Sequence, residues 1–218
     1  MKKRRISNAV IRRLPRYYRH LETLEKKGIV RVSSAALGLR TGLTPSQIRQ
    51  DLSCFGEFGQ QGYGYNVKEL MNEIAGILGM ENEYTAVMVG AGQLGHALVA
   101  NFPFEKYGIN MVALYDIDPQ IVGGNICGIP VYHVDGLAAD LEKCPVDIGI
   151  LTASVEAAYE LSDVLAEGNV KGIWNFTNAE LHPRCGDPVI ENVHFFDSLF
   201  FMCCMMNVHD IKKASSYY

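Results

Sequence analysis

The chain contains one tryptophan, no CxxC pair and no internal repeat, and no apolar run approaches the roughly 18 residues needed to cross a bilayer. These absences exclude solenoids, collagen-like arrays and bilayer-spanning helices. The basic start, Met1 to Arg5, leads into no long apolar stretch, so a secretory signal is not expected and a cytoplasmic location is. The six cysteines have no zinc-ligand spacing, so no metal site is expected, and buried reduced thiols are. Hydrophobic residues make up 48% of the 218 residues and charged residues 20%, enough to bury a core and too apolar for disorder. Charge of one sign is also scarce in each part of the chain. Residues 1–68 hold 14 Lys and Arg against 4 Asp and Glu; residues 69–218 hold 6 against 20, and the two balances leave the net charge of -4. A basic segment on an acidic body points to a polyanion partner for the first part alone.

In that first part, Val10, Ile11, Leu14, Tyr17, Leu21 and Leu24 recur at helical spacing and predict a helix over 8–27. Pro15 marks either a kink or a late start, and Gly28 the end. Ser33 and Ser34 can cap a short helix, Ala35 to Leu39. Thr44, Pro45 and Gln47 form a capping box with proline at the first helical position, opening a helix over 44–54. Ile48 and Leu52 would face the core, leaving Ser46, Gln47, Arg49, Gln50 and Ser53 more exposed. Phe55 to Asn66 interleaves glycines with aromatics and reads as a β-hairpin. Helices followed by a hairpin give a winged helix-turn-helix over residues 1–80, closed by an amphipathic helix over 67–79.

Residues 81–218 alternate strand and helix. Strands are expected at 84–90, 109–116, 129–133, 147–153, 170–176 and 193–196. Helices are expected at 93–106, 136–144, 155–167 and 199–208. The rhythm implies a Rossmann-like, doubly wound, mostly parallel α/β sheet. Gly90, Ala91, Gly92, Gln93, Leu94 and Gly95 form GxGxxG directly after a strand and opening a helix, the context that makes the motif specific. Asp116 ends the next strand, where a carboxylate accepts hydrogen bonds from a ribose diol and repels a 2′-phosphate. NAD⁺ and NADH are therefore favoured over their phosphorylated forms. Nearly all of this segment is used by the fold itself. No substrate domain and no catalytic histidine constellation remain, so a sensor is expected rather than an enzyme. A small oxidoreductase or CoA-binding protein with a basic appendage, and a scaffold with a structural cofactor, are the alternatives.

These parts and their motifs resemble the Rex family of redox-sensing transcriptional repressors over about residues 6–207. The stretches that carry the likeness include RRLPRYYRHLETLEKKGIVRVSS (12–34), LTPSQIRQDLSCFGEFGQQGYGY (43–65), GAGQLGHAL (90–98), YDIDP (115–119), ILTAS (150–154) and GIWNF (172–176). The resemblance implies a homodimer on a palindromic double-stranded operator, released by NADH while NAD⁺ competes for the same site. It implies a C-terminal helix, about 197–209, exchanged between protomers. DNA contacts are implied for Ser46, Gln47, Arg49 and Gln50, for Gln60 and Gln61 of the wing, and for Arg12 and Arg13. Cofactor contacts are implied for the glycine-rich loop, Asp116, Thr152 and Phe195. A switch is implied for Arg19, for the position read as Asn101 or Phe102, and for His194.

The chain departs from the family pattern at several places. Gln50 stands where a lysine is usual, and glutamine prefers adenine where lysine pairs with guanine. Gln60 and Gln61 replace basic wing residues. Asn101 or Phe102 replaces a tyrosine, His194 an acid, Ser154 a proline, and NFTNA (175–179) the usual NFAPV. The expectation is intact cofactor binding with altered sensing and operator preference.

Overall fold

The computed structural model describes residues 6–56 and 63–215, which form two compact units, Met1–Asn82 and Glu83–Tyr218. In the first unit, α1 (Asn8–Ile11) and α2 (Leu14–Lys26) replace the single helix expected over 8–27. Pro15 decides this. A continuous helix would lose the Pro15 N–H bond and press the ring on the Ile11 carbonyl, whereas proline is well tolerated in the first turn of a new helix. Next come β1 (Arg31–Val32), α3 (Ser34–Thr41) and α4 (Pro45–Ser53). Ser33 caps α3 through the Ala36 N–H, and Thr44 caps α4 through the Gln47 N–H. Between them Gly42 takes the left-handed conformation, φ 67°, that makes the tight turn of a helix-turn-helix.

The strand β2 (Tyr65–Asn66) pairs antiparallel with β1. The expected hairpin falls largely on residues 57–62, outside the described residues, as do Gln60 and Gln61. Its described end is held by β1 across the unit. Asn66 then caps α5 (Val67–Ile77) by accepting from the Lys68 and Glu69 N–H groups. Leu14, Tyr17 and Leu21 of α2, Leu37 of α3, Ile48 and Leu52 of α4 and Leu70 and Ile74 of α5 build one core.

The second unit contains β3 (Tyr84–Val89), α6 (Gln93–Asn101), β4 (Ile109–Asp116), β5 (Asn125–Ile126), β6 (Ile129–His133) and α7 (Leu137–Lys143). It continues with β7 (Ile148–Leu151), α8 (Val155–Glu167), β8 (Gly172–Asn175), β9 (Val189–Asn192) and α9 (Phe195–Ser215). The sheet order is β5-β6-β4-β3-β7-β8-β9, parallel throughout except the β5–β6 edge pair. Apart from β5 this is the doubly wound dinucleotide-binding order, with its switch point between β3 and β7. Neighbouring residues of β3 feed opposite cores, Val87 and Val89 one face, Ala86 and Met88 the other. Both faces are covered, which is why the strand reads as a continuous apolar run. Trp174 packs between Phe104 and Phe176, with ring centroids 6.5 and 4.6 Å away.

Three boundaries differ from the sequence expectations. The helix α6 stops at Asn101 rather than at 106, because Pro103 forces Phe102 into an extended conformation. The last strand is Val189–Asn192, not 193–196. It is an edge strand with exposed polar residues and so lacks an apolar signal. Phe195 and Phe196 instead open α9, which starts four residues before the expected 199. The thiols also depart from expectation. Cys54 is half-buried and Cys127, Cys144, Cys185, Cys203 and Cys204 are exposed, all of them free, because they sit on turns and on an uncovered helix.

Candidate functional site

The strand β3 ends in the glycine-rich loop, and Gly92 is the N-cap of α6. Gly90 has φ 103°, and a Cβ there would lie 2.6 Å from the Thr152 carbonyl carbon. A Cβ on Gly95 would overlap the Gly90 carbonyl oxygen and meet Met88 Sδ at 3.0 Å and Thr152 Oγ1 at 3.1 Å. Both positions therefore require glycine, and Thr152 Oγ1 locks the loop by donating to the Gly90 carbonyl at 2.5 Å. Gly92 has nothing within 4 Å of its Cβ direction, so the backbone is open on the side a pyrophosphate would approach.

Asp116, expected to meet a ribose, is half-buried at the end of β4 and bonded to backbone. Its Oδ2 accepts from the Ala91 N–H at 2.6 Å, and its Oδ1 from the Ile117 and Asp118 N–H groups at 2.7 and 2.9 Å. The carboxylate thus ties the glycine loop to the neighbouring strand. Beside it opens a cleft of about 550 Å³ over the carboxyl ends of the strands. Its polar side includes Gly90, Gly92, Asp116, Thr152 and Ser154; its apolar side includes Val134, Leu137, Ala138, Leu161 and Val164. This is room and chemistry for an adenosine, apolar where a purine would lie and polar where a ribose and phosphates would. Asp116, Asp135 and Glu160 line it and no described Lys or Arg does, so phosphate charge would be met by the N-terminus of α6. Ser154, which stands where the family has proline, caps α8 by accepting from the Ala157 N–H. Tyr115 at the cleft wall donates its hydroxyl to Asp140, and burial together with that carboxylate pushes its ionisation up.

Beyond the cleft, buried Asn175 and Thr177 of the NFTNA segment anchor a hydrogen-bond network that reaches exposed Asn192. Asn175 Nδ2 donates to the Ala179 carbonyl and to Asn192 Oδ1, and Asn175 Oδ1 accepts from the Thr177 N–H and hydroxyl. Phe176 contacts Phe195, centroids 6.2 Å apart, and Phe195 is otherwise exposed. Gln93, His194 and Phe102 are exposed, and Leu94 is half-buried. Asn101 turns back on its own helix, donating to the Ala97 carbonyl at 2.8 Å. Arg19 is exposed on α2 in the first unit, and His194 belongs to the second.

On α4 the face opposite Ile48 and Leu52 presents Ser46, Arg49, Gln50 and Ser53. Arg49 Nη1 donates to Ser34 Oγ at 3.0 Å, which orients it at the surface. Arg12 is exposed at the end of α1. Two residues expected among the DNA contacts are held differently. Arg13 makes a two-pronged ion pair with the fully buried Asp51, at 2.6 and 2.8 Å, and Gln47 Nε2 donates to the same carboxylate at 2.7 Å. The Tyr17 hydroxyl adds a third donor at 2.7 Å. Burial opposes the Asp51 charge, but the bonds from Arg13, Tyr17 and Gln47 outweigh it and hold the carboxyl below the ordinary carboxylate range. This hub was missed in the sequence, although Asp51 sits between Ile48 and Leu52 on the buried side of α4, where an acid demands partners.

Geometry alone defines a class: a helix-turn-helix unit joined to a dinucleotide-binding unit, the make-up of a ligand-responsive DNA-binding regulator. The comparisons agree. Residues 5–53 match the family model "Putative DNA-binding protein N-terminus", and residues 81–179 match "CoA binding domain". The chain is 46% identical to the redox-sensing transcriptional repressor Rex of Clostridium botulinum over 94% of its length and 98% of the relative's. It is also 46% identical to that of Caldicellulosiruptor bescii, over 97% of both chains. Two solved structures resemble it. RSP in complex with β-NAD⁺ and operator DNA is 43% identical, with TM-score 0.85 and 96% of each chain covered. RSP in complex with β-NADH is 40% identical, with TM-score 0.88 over 97% of this chain and 99% of that one. The chain belongs to the Rex family of redox-sensing transcriptional repressors.

Proposed function

We propose that the protein is a transcriptional repressor that binds a palindromic operator as a homodimer and is released by NADH, with NAD⁺ competing for the same cleft. The observation that carries this reading is one chain holding both a dinucleotide cradle at the sheet's switch point and a capped, basic helix-turn-helix. Its relatives of known structure are held with NAD⁺ and operator DNA, and with NADH.

In this reading Gly90, Ala91, Gly92, Gln93, Leu94 and Gly95 give the pyrophosphate a close backbone approach, and the N-terminus of α6 meets its charge. Asp116 takes the adenine ribose and excludes a 2′-phosphate. Thr152 fixes the loop, and Phe195 bounds the nicotinamide end. The nicotinamide supplies its oxidation state as the signal. Asp116 is engaged with backbone N–H groups and Ser154 caps α8, and the reading is of a sensor, not an enzyme. Ser46, Arg49 and Gln50 of α4 face the major groove. Arg12, the basic start, Gln60 and Gln61 are assigned backbone contacts to DNA. Arg19, Asn101, Phe102 and His194 are assigned to the switch between states. We place this operator-binding role in the cytoplasm. No described helix is long and apolar enough to cross a membrane, and no described cluster of three His, Cys, Asp or Glu could hold a metal.

Release by NADH requires that the DNA-bound form hold NADH more weakly than the free form does. The test is a gel shift at fixed salt on a site selected from a randomised pool. Loss of the shifted band with NADH but not NAD⁺ is expected. A band that ignores both cofactors overturns the sensor reading.

A further inference from the structure

We infer that Asp51 is a positioning residue that fixes the orientation of Gln47, so that Gln47 turns its carbonyl toward DNA and reads a base with a major-groove amino group. The inference rests on the proposed placement of α4 in the major groove and goes beyond it.

A glutamine side chain can normally turn over, presenting either its N–H₂ or its carbonyl, and so reads both donors and acceptors. Here one orientation is imposed. Asp51 has no exposed surface, is ionised and can only accept, and Gln47 Nε2 lies 2.7 Å from its Oδ1. Turning the amide over would set a carbonyl oxygen against the carboxylate and lose a charge-assisted bond. Asp51 cannot turn away either, because Arg13 grips both of its oxygens and the Tyr17 hydroxyl holds Oδ2.

The carbonyl Oε1 of Gln47 is then the outward acceptor of the amide, with one Nε2 hydrogen left beside it. It accepts from no described group. Gln47 is half-buried, and no buried side-chain oxygen or nitrogen among the described residues lacks a partner, so Oε1 reaches the surface. Gln47 is also the third residue of α4, beside the exposed Ser46 and Gln50. The first turn of a recognition helix is the part that meets base edges. In the major groove only adenine N6 and cytosine N4 donate. A Gln47 held with its carbonyl outward therefore favours adenine or cytosine at the point that Oε1 meets, and its second Nε2 hydrogen suits adenine N7. Gln50, which has no such anchor, keeps both options.

The experiment uses the full-length protein and a duplex selected from a randomised pool. Each adenine in a half-site is replaced in turn by purine, and each cytosine by 2-pyrimidinone, which delete only the amino group. For the wild type we expect one position per half-site at which deletion weakens binding about tenfold or more. Gln47→Met, which keeps length but no acceptor, shows no loss at that position. Asp51→Asn, which can donate to Oε1 and turn the amide over, loses the penalty there, while the phosphate-driven affinity for random DNA is retained. Gln47→Met keeps the Arg13–Asp51 pair and decides the Gln47 contact by itself; a penalty that survives in Asp51→Asn overturns the positioning role of Asp51. An undiminished penalty in Gln47→Met, or no penalty above twofold anywhere in the wild type, overturns the inference alone. Failure to select any sequence from the pool overturns it together with the groove reading.

Discussion

Asp51 is the side chain on which the first unit most depends. Replacing it with alanine leaves the Arg13 guanidinium and the Tyr17 hydroxyl without their buried partner. A loss of about 3 kcal/mol is expected, read by chemical unfolding. Its lowered ionisation also sets a pH dependence. A carboxyl held below its unfolded value contributes stability that is complete above the ordinary carboxylate range, and this is lost as pH falls through the folded value. The first unit should weaken below about pH 4, and Asp51→Asn should flatten that acid limb. In the second unit Gly95 has the same standing. Gly95→Ala drives a methyl onto the Gly90 carbonyl. The expected result is about 1–3 kcal/mol of lost stability and little or no NADH binding, followed by cofactor fluorescence. The parent glycine protein is the control in both assays.

At the scale of elements, α4 and the β3–loop–α6 turn carry the proposed function. Arg49→Ala should weaken operator binding, and if the guanidinium also meets a phosphate the slope of log K against log salt should fall by about one. Much of both elements was legible in the sequence. Thr44-Pro45 announces α4 because a hydroxyl cap and a preset φ suit only a helix start. GxGxxG announces the turn because Gly90 and Gly95 leave no room for a Cβ. What the sequence hid is long-range or at an edge. The pairing of β1 with β2 joins residues 31–32 to 65–66, a register no local period encodes. The strand β9 has polar edge residues that resemble a loop. Asp116 reads as a ribose ligand from its position, and nothing local shows that its carboxylate also holds Ala91. The Asp51 hub was visible only as a contradiction, an acid on an apolar face.

For the whole molecule, the decisive feature is α9. Phe196, Phe200, Phe201, Met202, Met205 and Met206 are all exposed in the single chain. A helix this apolar on so much of its surface has to be covered in solution, and the proposed homodimer covers it with a second copy. Sedimentation should give a dimer at micromolar concentration. Phe200→Asp should shift it toward monomer and cost most of the affinity for a two-half-site operator while sparing binding to a single half-site. The lone tryptophan adds an optical consequence. Trp174 lies in the β8 strand of the second unit, wedged between Phe104 and Phe176, and the helix-turn-helix unit has no indole at all. Emission excited at the red edge of the protein band therefore comes from the second unit only. Its overlap with the absorption of reduced nicotinamide makes Trp174 a built-in donor for energy transfer, so quenching would follow NADH loading in the unlabelled protein. The same blindness to the first unit means that a melt followed by this emission would miss an earlier unfolding of the helix-turn-helix, which circular dichroism would record.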